Sequence, residues 1–138
     1  MQEHQEIRSP ERRHQRSDDP WMALTFQLEH VRELYGLDDV VLASEDGLTV
    51  AYAGDVWRSY LLAAFAAEYA SSDLPAQPES IESSFAPYYR AIEGSHISVI
   101  SFEASHVPVH LCGVASQDNG VSKGLEHARH GIERILSA

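Results

Sequence analysis

The stretch "GLDDVVLASEDGLTVAYAGD", residues 36–55, constrains the fold more than any other part of the chain. It holds two β-prone runs, residues 40–44 and 48–53, around an Asp46-Gly47 pair that suits a hairpin turn. Across the two runs one alternating set is Val40, Leu42, Leu48, Val50 and Tyr52; the other is Val41, Ala43, Thr49, Ala51 and Ala53. Both sets are apolar or small. A sheet with one wet face alternates apolar with polar residues, so this sheet is expected to be covered on both sides. The acids of the stretch, Asp38, Asp39, Glu45 and Asp46, read as turn chemistry and solubilising charge.

The flanking sequence supplies the cover. "DDPWMALTFQLEHVRELYG" predicts a helix with Asp18 or Asp19 as cap, Pro20 in the first turn and Gly36 as a left-handed stop. Its apolar stripe is Trp21, Leu24, Leu28, Val31 and Tyr35. Asp55 can cap a second helix over residues 56–71, which the proline-containing "DLPAQPES" ends. Residues 81–85 are ambiguous between helical turn and strand. "YYRAIE", "HISVISFE" and "VPVHLCGVA" read as three strands, with Pro108 expected at a strand start or bulge. Residues 117–138 predict a last helix, capped by Asp118 or Asn119, with Val121, Leu125, Ala128, Ile132 and Ile135 on one face. The order αββαβββα, with hairpin-linked strands, implies an α+β domain over residues 18–138 built on an antiparallel five-stranded sheet flanked by helices. Residues 1–17 are polar, show no apolar periodicity and are expected to be a disordered leader.

The second helix is unusual. One side of its wheel collects Arg58, Leu61, Leu62, Phe65 and Tyr69, and the other Val56, Tyr60, Ala63, Ala64, Ala67 and Ala70. A surface helix normally keeps a polar face, and a helix apolar all round is enclosed. Either the bulky side packs on the sheet and the Ala-rich side meets another chain, or the helix is an enclosed core element covered by the N-terminal segment. Arg58 on the bulky side is tolerable only with its head group in water at the helix end.

Other classes are excluded by what is missing. The formal charge is −11, against the clustered Lys and Arg that nucleic acid requires. Residues 1–16 hold four Arg against three Glu, a net +1 that leaves −12 to the rest, so this leader could touch an acidic surface such as a membrane or the protein's own body. No run approaches the roughly 20 apolar residues of a membrane span. The N-terminus lacks a secretory h-region and the single cysteine, Cys112, suits a reducing compartment, so a cytoplasmic location is expected. His106 with His110, and His127 with His130, are candidate metal neighbours, but nothing stands at recognised zinc spacing and surface histidines are the plainer reading. Cys112 could alternate onto one strand face with His110, yet its apolar run makes it a packing residue. No nucleophile elbow and no phosphate-cradling glycine pattern is visible. No catalytic residue, cofactor or metal is therefore expected, and the chain reads as a non-enzyme.

Gly36, Val40-Val41-Leu42, Asp46-Gly47-Leu48, Ala51-Tyr52-Ala53-Gly54 and the helix "YLLAAFAAEYA" together resemble the Roadblock/LC7 family over roughly residues 20–137. The resemblance implies a profilin/longin-like fold and a dimer, expected here as a homodimer, whose sheets join edge to edge with the second helices paired. It also implies a platform for a small Ras-like GTPase. Bacterial members stimulate GTP hydrolysis in polarity and motility, and others act as exchange factors or scaffolds. By position, the partner and dimer surface would be Val56, Trp57, Tyr60, Ala63, Ala64 and Ala67 of the second helix with Tyr88, Tyr89 and Arg90 of the strand "YYRAIE". Arg58 as a finger supplied in trans is a further option. The competing reading, from a different class, is a small-molecule sensory or adaptor domain with a polar pocket between sheet and helix.

Overall fold

The computed structural model describes residues 19–71, 95–117 and 120–137. The leader, the segment 72–94 with the expected fifth strand, and the two expected caps Asp118 and Asn119 lie outside the described residues. Helix α1, Pro20–Tyr35, starts where Asp19 accepts hydrogen bonds from the backbone N–H groups of Trp21 and Met22. It stops at Gly36, whose φ of 65° is the left-handed conformation a helix end favours. Strands β1 (Asp39–Ser44) and β2 (Thr49–Ala53) form the hairpin, and helix α2 is Val56–Ala70. Strands β3 (His96–Ala104) and β4 (Val107–Ala115) form a second hairpin, followed by helix α3, Val121–Leu136. The N-cap of α3 is Gly120, which has no side-chain cap, and not the expected Asp118 or Asn119.

The described strands make one antiparallel sheet in the order β2-β1-β4-β3. The two central strands are the most deeply buried: β1 is buried along nearly its whole length and β4 from Val109 onward. Both faces are covered, as the hairpin's composition requires. Helices α1 and α3 fill one face, where Leu24, Leu28 and Val31 meet Val40, Leu42, Leu111, Leu125 and Ile132. Among the described residues, helix α2 is the element on the other, where Leu62, Phe65 and Ala66 meet Val41, Ala43, Cys112 and Val114. Each such bulky aliphatic or aromatic side chain contributes about 1.5–3 kcal/mol on full burial, so the sheet is held from both sides.

Two expectations are corrected. Val40 pairs with Ala53 and Val41 with Tyr52, so the face shared with Val40 and Leu42 carries Ala51 and Ala53, while Tyr52 belongs with Val41. A bulge between Leu42 and Ala43 then lets Val50 join the α1–α3 face as well. Loop length and bulges set hairpin register, and a one-residue change exchanges the faces. The expected stripe also included Trp21, which is 61% exposed. It stands in the first turn of the helix, outside the core cluster.

Candidate functional site

The first turn of α2 is fixed to the sheet by a corner of polar contacts. Asp39, at the start of β1, is 1% exposed. Its carboxylate accepts from the backbone N–H of Asp55 (2.8 Å) and from Arg58 Nε (2.7 Å) and Nη2 (3.3 Å). Asp55 caps the helix by accepting from the backbone N–H of Arg58 at 2.8 Å. Ser59 is buried and donates its hydroxyl to the Asp55 carbonyl. Gly54, with φ of 118°, passes so close to Asp39 and to the Asp38 carbonyl that a Cβ there would collide with both. The Asp39 hydrogen bond, with desolvation opposing it, holds the Arg58 guanidinium above its already high ordinary pKa.

Sequence reasoning missed this corner. Asp39 is a buried anchor and not a solubilising charge, and the half-exposed Arg58 is its ion-pair partner. The readable signal was an arginine on the apolar side of a helix wheel, which needs a buried partner unless its head reaches water.

From this pinned turn α2 directs Val56, Trp57 and Tyr60 outward, with exposures of 46%, 68% and 55%. Trp57 and Tyr60 meet edge to face with centroids 6.4 Å apart, an arrangement that orients both rings before any partner arrives. Ala64 and Ala67 are half-buried on the same helix. Ala63 is corrected: it is fully buried in the α2 core cluster beside Leu62 and Ala66. The small residues have an intrachain cause, because the β1–β2 turn approaches α2 so closely that a Cβ on Gly47 would lie 3.2 Å from the Ala67 Cβ and 3.3 Å from the Ala64 Cα. Tyr88, Tyr89 and Arg90 lie outside the described residues.

The two expected histidine pairs do not form metal sites. His106 sits in the β3–β4 turn with φ of 68°, whereas His110 is buried on β4 and hydrogen-bonded through Nδ1 to Ser101 Oγ at 2.8 Å. Desolvation pulls His110 below its ordinary pKa, opposed by Glu45. His127 bonds Tyr35 Oη across the α1–α3 interface at 3.0 Å and meets the His30 ring edge on. His130 projects toward Glu133. Among the described residues no group of three or more His, Cys, Asp or Glu side chains is arranged to hold a metal. Cys112 is fully buried, and burial pushes its thiol pKa strongly up, so it is a packing residue. No helix among the described residues is long and apolar enough to cross a membrane.

The chain shares its fold with MglB proteins. It superposes on Myxococcus xanthus MglB with a TM-score of 0.54 at 11% identity, covering 86% of this chain and 91% of that one. The gliding protein MglB of Thermus thermophilus gives a TM-score of 0.54 at 16% identity, covering 86% and 92%. An MglB with tetrameric arrangement gives 0.53 at 15% identity, covering 86% and 91%. By sequence, no family model and no curated protein matches.

Proposed function

We propose that this MglB-like chain is a dimeric, non-enzymatic Roadblock-type protein that binds a small Ras-like GTPase in the bacterial cytoplasm and regulates it, in polarity or motility. The observation that carries the reading is the outward face of α2. Val56, Trp57 and Tyr60 leave the domain from a turn that the Asp39–Arg58 corner fixes. Exposed aromatic residues held on a rigid element are what interface hot spots are made of. The likeness to MglB supports the fold on which Roadblock dimers are built, and the family resemblance supplies the GTPase as partner class. In this reading Ala64 and Ala67 sit beside the aromatic patch, and Tyr88, Tyr89 and Arg90 belong to the edge joining two protomers.

The centres of the two sheet–helix interfaces are filled by apolar side chains, which leaves the sensory alternative the polar-lined pockets at their ends, one between β3 and the start of α3 and one between the β1–β2 turn and α2. The test is light scattering of the full chain and of W57D and Y60D variants, with GTP hydrolysis and nucleotide exchange followed on a Ras-like GTPase from the same genome. The reading expects a dimer, altered turnover or exchange with the native chain, and loss of dimer, GTPase effect or both in the variants. A monomeric native chain with no effect on any such GTPase overturns it.

A further inference from the structure

The opposite end of α1 presents a surface that the α2 reading does not use. Both hairpin turns, the start of α1 and the end of α3 meet there, around an open groove of about 420 Å³. Its apolar walls include Trp21, Val50, Val107, Pro108 and Leu136, and its rim carries Glu45 and Asp46. Trp21 and Val107 are 61% and 57% exposed, and Leu48 in the neighbouring β1–β2 turn is 68% exposed. The floor is braced where Ser105 Oγ donates to the Leu136 carbonyl at 3.0 Å. An indole and several aliphatic groups are thus left facing water beside two carboxylates.

Two observations name an occupant. The first is where the chain enters: Asp19 caps α1, and Trp21, two residues later, already lines the groove. Residues 1–18 therefore begin at the groove's edge. At roughly 3.3 Å per extended residue, any of them can reach across it. The second is charge and composition. Residues 1–16 hold Arg8, Arg12, Arg13 and Arg16, four of the chain's ten basic side chains, and are net positive beside a strongly acidic remainder. They also include Ile7 and Pro10 among those arginines. An apolar floor with an acidic rim suits such a peptide, because arginine stems cover apolar surface while their heads reach carboxylates.

We propose that the groove is the docking surface of the chain's own leader, with Ile7 and Pro10 against the apolar floor and the arginines over Glu45 and Asp46. Tethering makes this feasible for a weak contact. A short linker holds its segment at an effective concentration on the order of millimolar, so even a millimolar-affinity peptide occupies the groove about half the time. The contact covers Trp21 and withholds that end of the domain from other partners. It does not depend on the GTPase reading, since it needs no second protein, although Glu45 and Asp46 also border Ala64 and Ala67 of α2.

Tryptophan fluorescence reads the proposal directly in the full-length protein. The chain has two tryptophans, so W57F leaves Trp21 as the sole indole. In that background the native leader is compared with a leader carrying I7D, R8E, R12E and R13E. Docking predicts that Trp21 is blue-shifted and less accessible to acrylamide with the native leader. The variant leader should remove both effects. So should about 1 M NaCl, where the screening length falls to about 3 Å. Identical emission and quenching with the two leaders overturns the proposal. Shielding that varies with protein concentration but not with the leader assigns the groove to a second copy and overturns it equally. As an independent measurement with Trp57 intact, a nitroxide on I7C should broaden the methyl signals of Val50, Val107 and Leu136 selectively. Uniform or absent broadening also refutes it.

Discussion

Removing one partner of the Asp39–Arg58 pair tests whether the corner organises α2. The carboxylate is 1% exposed, whereas the Arg58 side chain is 45% exposed, so the two substitutions are not equivalent. Arg58→Met keeps the stem but leaves Asp39 buried with the Asp55 N–H as its remaining partner in this corner. Orphaning a buried charge costs about 3–5 kcal/mol. Because solvent screens the half-exposed guanidinium, the expected loss is about 2–3 kcal/mol. Asp39→Asn retains an acceptor for the Asp55 N–H but gives up the charge-assisted bonds, for about 1.5–3 kcal/mol. The double variant has no buried charge left unpaired, so its cost should fall short of the sum by about 1–2 kcal/mol. Urea unfolding followed by far-UV circular dichroism gives all three values, with an unchanged denaturant slope showing that the unfolded state is unaffected. Raising the folded-state pKa of a base stabilises the fold below its unfolded value, and that gain is lost only as pH climbs through the folded one. For Arg58 that window is strongly alkaline, so its contribution should be flat across neutral pH. Additive losses, or an Arg58→Met cost within about 0.5 kcal/mol, the range of ordinary surface changes, would refute the argument and reduce the corner to a screened surface pair.

His110 sets an acid limit. Its pKa is lowered by desolvation, with Glu45 opposing, so the unfolded chain takes up the proton more readily than the folded chain, and stability falls as pH drops through the ordinary histidine range, about 6.5. H110Q should flatten that part of the profile in urea titrations between about pH 7.5 and 5. Cys112 should resist thiol reagents in the native protein and react only as fast as the domain unfolds, since it is fully buried with a raised thiol pKa; rapid native labelling would contradict that. G54A should cost at least about 2 kcal/mol, combining left-handed strain with collision against Asp39 and the Asp38 carbonyl 2.7 Å away. An unchanged denaturation midpoint would show that this corner relaxes freely.

Local signals in the chain were readable because their causes are local. Asp19, Pro20 and Gly36 bound α1 as capping chemistry requires, and Asp55 opens α2. The "VPVHLCGVA" run is β4 from its first residue to its last. The outward side of α2 was legible at Val56, Trp57 and Tyr60, which are exposed. It was misread at Ala63, since small residues serve equally for a neighbouring helix, for the core or for the turn at Gly47.

The sequence by itself determined that this sheet must be buried on both faces, because both alternating sets of its first hairpin are apolar, and that three helices were available to bury it. Only the tertiary structure decided which residues share a face, because register depends on the loop and the bulge at Leu42. It also decided that Asp39 and Arg58, 19 residues apart, form one ion pair with the carboxylate buried and the guanidinium half-exposed. Periodicity registers a residue's own helix or strand, whereas pairing between elements is set by how those elements pack, and no local pattern encodes that distance.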